Sequence, residues 1–159
     1  CGRAGHSPCA PGFSILELVI VLAIIGVMAA VAAPRRTSAQ QNYRVDLAAR
    51  RVAADIDATR VAARTESRAK SIAFSEGGVR YKITGIRLSR RTAAVETDVD
   101  LTAEPHRATA LSVDFGGLKT LSFDAFGRPA AGGTIKVTVG DLVRTVTVSP
   151  ETGRVAVSR

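Results

Sequence analysis

Gly12-Phe13-Ser14-Ile15-Leu16-Glu17-Leu18 opens a run that stays apolar as far as Ala33 and stops at Pro34. Between Phe13 and Ala33 the one ionisable side chain is Glu17. A helix over that window rises ~1.5 Å per residue and spans ~30 Å, about one hydrocarbon core. Twelve of its residues are Phe, Ile, Leu or Val. At roughly −0.3 to −0.6 kcal/mol each, they outweigh the ~3 kcal/mol cost of one carboxylate, so the window favours insertion with Glu17 in place. A carboxylate kept near the start of a membrane helix marks a functional position.

The motif Gly12 | Phe13-Ser14-Ile15-Leu16-Glu17-Leu18 resembles the N-terminus of type IV prepilins and type II secretion pseudopilins. In that family a short leader ending in Gly precedes Phe-Thr-Leu-x-Glu-Leu or a close variant, and an apolar run follows. The resemblance implies a pilin-like fold, cleavage after Gly12 by a prepilin peptidase and N-methylation of the new amine on Phe13. It also implies that Glu17 pairs with the Phe13 amine of a neighbouring subunit. A charge-assisted pair in lipid would hold incoming subunits in axial register, because a slipped register strands a charge in low dielectric. The implied partners are other pilin or pseudopilin subunits, the prepilin peptidase/N-methyltransferase, the inner-membrane assembly platform and the lipid bilayer. The implied location is the bacterial inner membrane, crossed once, with the N-terminus cytoplasmic and the C-terminal domain periplasmic, and then a filament.

Two features depart from the family pattern. Pro11 stands before Gly12, where Lys or Arg is usual, and the chain opens on Cys1 rather than Met, as a truncated leader would. Arg3 is the one cation before the window, whereas Arg35 and Arg36 flank its far end, a balance that by charge alone favours the opposite orientation. A second reading stays open. Ala30-Val31-Ala32 has the form of an ordinary signal-peptidase site, which would release a secreted, soluble β-rich domain starting near Ala33. Glu17 inside the apolar region and the nearly uncharged leader stand against it.

Working outward, residues 1–12 are small, polar and turn-rich and read as a removed leader. Residues 13–33 read as the transmembrane half of a long N-terminal helix and 34–70 as its periplasmic half. Pro34 removes a backbone donor and predicts a kink. Beyond it, Val45, Ala49, Val52, Ile56, Thr59 and Ala63 recur at spacings of four and three, one stripe suited to lying on a sheet, with Arg44, Arg51, Asp55 and Arg60 off it. From 71 to 159 the period becomes two. Ser71–Glu76 and Val79–Thr84 flank Gly77-Gly78 as a hairpin, and Ala93–Leu101 reads as a strand. Thr109–Phe115 and Lys119–Asp124 flank Gly116-Gly117-Leu118 as a second hairpin. Thr134–Val139, Leu142–Val148 and Arg154–Val157 form a meander, with Ile135, Val137, Val139, Val146, Val148, Val155 and Val157 on its buried face. One helix followed by strands alone gives an α+β domain, the helix packed on an antiparallel sheet. Phe123-Asp124-x-x-Gly127, Gly132-Gly133-Thr134-Ile135 and Gly153-Arg154-Val155-x-Val157 are similar to the C-terminal region of the GspH/FimT group of minor pseudopilins and minor pilins.

Little here points to catalysis. The chain has 159 residues, two cysteines and two histidines, and Cys1 and Cys9 both precede the expected cut. No disulfide framework, metal site, cofactor or enzymatic activity is expected. His106 follows Pro105 in a loop with no nucleophile at a catalytic spacing. Asp98, Asp100 and Glu104 read as solvated carboxylates, and Phe115, Phe123 and Phe126 as core. The net charge of +8 divides as +1 in the leader, −1 in the apolar window, +5 over 35–70 and +3 over 71–159. A basic stretch beside a membrane can meet anionic headgroups or acidic partners. Some FimT-type pilins bind DNA through C-terminal arginines, often in Gly-Arg-x-Arg. Here the text is Gly153-Arg154-Val155-Ala156, so the second Arg is missing, and Arg144, Arg154 and Arg159 are the candidate DNA contacts of this alternative.

Overall fold

The computed structural model describes residues 14–75, 77–86 and 95–158, and of these all side chains but those of 30–38, 86, 95 and 96. By its internal contacts the chain divides into Cys1–Ser38 and Ala39–Arg159. Helix α1 (Ile15–Glu66) begins in the first unit, with Glu17 in its opening turn. Every described side chain from Ser14 to Ala29 is exposed. Among the described residues no helix is long and apolar enough to cross a membrane. The window's described side chains, 14–29, are fewer than the ~20 residues a span needs. α1 runs on as helix through Pro34, the position where a kink is expected.

In the second unit α1 is rich in Ala and Arg, good helix formers that leave packing to decide which face is buried. Val45, Ala49, Val52, Ile56, Thr59 and Ala63 are all 0 % exposed, as the spacing predicted, and Ala48 joins them. The helix stops at Glu66, short of residue 70. Ser67 takes a left-handed φ of 48°, its N–H donates to Arg64 O at 3.4 Å, and Arg68 N–H donates to Ala63 O at 3.1 Å. That is a Schellman stop. Its left-handed residue is Ser rather than Gly, which is why no punctuation in the text announces it.

The strands are β1 (Lys70–Phe74), β2 (Arg80–Ile86), β3 (Val95–Asp100), β4 (Ala110–Asp114), β5 (Thr120–Phe123), β6 (Gly133–Val139), β7 (Leu142–Val148) and β8 (Val155–Ser158). They form two antiparallel sheets of four, ordered β3-β2-β1-β5 and β4-β6-β7-β8. The β1–β2 hairpin and the β6–β7–β8 meander follow the sequence reading. The hairpin expected of β4 and β5 does not form. Gly116 and Gly117 make a turn held by one bridge, Phe115 to Leu118, and the two strands then part. β4 pairs Val113 with Ile135 of β6, whereas β5 pairs Leu121 with Ile72 of β1. A glycine turn reverses the chain but does not choose its neighbour. Here Phe115, Leu121 and Phe123 are all buried, and they reach the core by dividing between the sheets.

One core joins the second part of α1 to both sheets, with Ile72, Tyr81, Ile83, Leu101, Phe115, Leu121, Phe123, Ile135, Val137 and Val146 among its buried members. At ~1.5–3 kcal/mol for each large side chain removed from water, this burial is the main force holding the helix to the strands. Two expectations fail at the rim. Phe126 is 77 % exposed, and Val157 at the outer strand is 42 % exposed.

Candidate functional site

Polar side chains lock α1 to the sheets at defined points. Asp55, expected off the buried stripe, is buried, and the Tyr81 hydroxyl of β2 donates to its Oδ2 at 2.6 Å. Arg51, one turn earlier, donates to the same oxygen from Nε at 2.9 Å. Burial and the Asp55 carboxylate push the Tyr81 phenol well above its ordinary range, so it stays a donor at every physiological pH. The same carboxylate raises Arg51 further. Thr59 closes the stripe by donating to Asp55 O at 2.7 Å, which explains a hydroxyl among apolar neighbours.

A second lock lies one strand into the other sheet. Arg144 of β7 is buried and donates from Nε to Asp46 Oδ1 at 2.5 Å and from Nη2 to Asn42 Oδ1 at 3.3 Å. Its charge is therefore spent on the helix and is not presented to an outside phosphate. Arg154 is exposed, and Arg159 lies outside the described residues. Arg144 and Arg154 line different clefts. At the end of α1, Lys70 Nζ is held by Glu66 at 2.6 Å and by the Gly85 carbonyl. Arg44 reaches Glu104 at 3.4 Å, and Arg107 meets the same carboxylate at 2.7 Å, tying the loop after β3 to the helix.

His106 lies in that loop, half-buried, with a buried Nδ1 that has no hydrogen-bond partner. Burial, and then Arg51, lower its pKa. Asp100 is held by Thr102 at 2.6 Å and by Arg80 at 2.8 Å, and the Thr102 bonds lower its pKa. Among the described residues no group of three or more His, Cys, Asp or Glu side chains is placed to hold a metal ion.

The C-terminal motif has a physical account. Phe123 is core. Asp124 accepts backbone N–H bonds from Phe126 at 2.9 Å and Arg128 at 2.8 Å. Gly127 then passes against α1 with φ +74°, where an added Cβ would lie 2.5 Å from Arg64 Cγ. Gly133 passes against the end of β4, where a Cβ would collide with the Asp114 carbonyl. These glycines seat loops on the helix and close the sheets.

Glu17 is exposed in the first turn of α1. Its expected partner, the Phe13 amine, and the cleavage position Gly12 lie outside the described residues. Of the N-terminal site legible in the sequence, the described residues show Glu17 alone, as an exposed side chain. What sequence reading missed are the locks. Asp55 and Tyr81 lie 26 residues apart and Asp46 and Arg144 lie 98 apart, and the only local signal was a charged residue one step from an apolar stripe.

Neither a family model nor a curated protein sequence matches the chain. Among solved structures, its fold is similar to the type IV minor pilin FimU of Pseudomonas aeruginosa, strain PAO1, in two crystal forms. In space group P21 the identity is 20 % over 74 % of this chain and 90 % of that one, with a TM-score of 0.55. In space group P65 it is 21 % over 72 % and 92 %, with a TM-score of 0.51. At that identity the likeness is one of architecture, and the chain carries an α+β, pilin-like fold.

Proposed function

We propose that this chain is a structural subunit, without enzymatic activity, of a pilus-like filament of a type II secretion or type IV pilus machine, in the manner of a GspH/FimT-type minor pseudopilin or minor pilin. Residues 1–12 are its leader, cut after Gly12, and Phe13 is N-methylated. Residues 13–33 hold it in the inner membrane before assembly, with residues 34–159 periplasmic. Prepilin peptidase/N-methyltransferase, the assembly platform and other pilin subunits are its partners. The observation that carries the reading is one helix whose later part packs into a head while its earlier part, 14–29, leaves Ile, Leu and Val exposed around a lone Glu17. So many uncovered apolar side chains need lipid or a neighbour's helix around them. The pilin-like fold supports the same reading.

Mass analysis of the mature N-terminus tests it. N-methyl-Phe13 is expected; a chain beginning near Ala33 means a secreted domain, and an uncut leader removes the proposal. Glu17→Gln is expected to leave the head's unfolding unchanged and to abolish cross-linking to other filament subunits. DNA uptake is the weaker reading, because Arg144 is already paired to Asp46. It requires duplex DNA to bind the chain at ~50 mM salt and to be lost steeply as salt rises.

A further inference from the structure

β8 is the last strand of its sheet, and its outer edge is open. Ser149 N–H donates to Arg154 O at 2.9 Å, and the register sets Ala156 opposite Thr147 and Ser158 opposite Thr145. Backbone bonding alternates along an antiparallel strand. Arg154, Ala156 and Ser158 therefore turn their backbone groups to β7, and Val155 and Val157 turn theirs outward. Among the described residues no backbone bond reaches those outward groups. The Val155 and Val157 side chains stand opposite the buried Val148 and Val146, on the core-facing side of the sheet. They are only partly covered, and among the described residues no strand continues the sheet past β8.

Alongside this edge runs a second row. Asp46, Arg50, Ala53, Asp57 and Arg60 recur at spacings of four and three, one stripe of α1. Two clefts separate the row from β8. One, of about 350 Å³, is bounded by Asp46, Arg50, Arg144, Val157 and Ser158. The other, of about 330 Å³, is bounded by Ala53, Asp57, Arg60, Arg154 and Val155. Arg144 is neutralised by Asp46, and Arg60 lies 3.7 Å from Asp57. Arg50 and Arg154 are exposed and have no ion pair among the described residues. The Asp57 contact is made by the buried Arg60 Nε, and Arg60 Nη1 donates to Thr152 O at 3.2 Å, so Arg60 is held by its own chain.

We propose that this groove is a strand-addition site that takes an extended, acidic segment of a partner protein as a fifth strand beyond β8. The segment's backbone pairs with the outward groups of Val155 and Val157, as in other edge-strand recognition. Its apolar side chains cover the two valines. Its carboxylates answer Arg50 and Arg154. A nucleic acid would meet the arginines but leave the strand edge and the valines unsatisfied, so the observations favour a peptide. The inference does not depend on filament assembly.

The probe is a fluorescein-labelled octapeptide of alternating Val and Asp, titrated onto the full chain in detergent and read by anisotropy. Saturable binding is expected, weakened at high salt. Val157→Pro removes an outward N–H while keeping the ladder to β7, because proline is tolerated at an open edge. It is expected to weaken binding roughly tenfold with unchanged thermal unfolding. The same peptide N-methylated at alternate residues should fail equally and needs no change to the protein. Arg50→Glu and Arg154→Glu should each weaken binding. The proposal is overturned by four results. These are no binding of the peptide, equal binding of a Val-Lys peptide, binding indifferent to both Val157→Pro and N-methylation, or duplex DNA binding through Arg154 while the peptide fails. Self-association of the chain that Val157→Pro abolishes would give the edge to a second copy instead.

Discussion

Between Ser14 and Ala29, α1 carries Ile, Leu and Val on every side and buries none of them. Between Ala39 and Glu66 the same helix carries mostly small and charged residues, yet it buries one stripe completely. Side-chain size does not explain which part is covered. The small stripe lets two sheets approach, and Asp55 with Tyr81 and Asp46 with Arg144 hold them there. The described side chains of the large apolar part, 14–29, are all exposed. Hydrophobicity therefore reports the solvent a segment is made for, whereas burial reports what the chain can place against it.

That contrast can be broken most directly by truncating one isoleucine in each part. Ile56→Ala, in the stripe, is expected to destabilise the head by ~2–5 kcal/mol in chemical denaturation. Ile24→Ala should leave that unfolding unmoved; an equal loss would show that the first part packs on its own chain. Next comes the polar lock. Tyr81→Phe deletes the donor to a buried carboxylate and should cost about 1.5–3 kcal/mol. Little or no loss would mean that Arg51 alone satisfies Asp55.

A smaller effect is expected with pH. Folding lowers the His106 pKa through burial and Arg51, so the unfolded chain takes up this proton first as pH falls. The contribution is constant well above ~6.5, and stability declines below it, because the unfolded state then binds more protons. Equilibrium unfolding at stepped pH should show this decline, and His106→Asn should flatten it. Asp100 behaves oppositely in the acid range. Its Thr102 bonds stabilise the carboxylate, so that contribution is present above its ordinary pKa and fades as pH falls through the lowered one. Smallest of all, Arg154→Ala should stay within ~0.5 kcal/mol of the parent, whereas Arg144→Ala, which strips Asp46 of its partner, should exceed it.

Periodicity carried much of the fold. Six stripe positions on α1, the Gly77-Gly78 hairpin and the final meander were all legible, because each is set by spacing within a short stretch. The fate of Gly116-Gly117 was not. A turn signal is local, and the choice between pairing β4 with β5 or sending them to different sheets depends on Ile72 and Ile135, far away in sequence. Phe126 was read as core from its type alone, yet the loop that seats Gly127 on α1 turns it outward.

The candidate site divides in the same way. Glu17 stood out in the text because one carboxylate in an apolar run is costly wherever that run goes. Arg144 and Arg154 looked alike, since both are arginines near the end of a strand-rich half. Only the tertiary structure separated them, burying the first against Asp46 and leaving the second beside an open strand edge. The sequence by itself determined an apolar helix with one charge, an amphipathic continuation and a run of alternating strands, since these follow from chemistry within a few residues. Which strands pair, which charges are neutralised and which edge stays open were decided in three dimensions, because each depends on a partner that chain order does not specify.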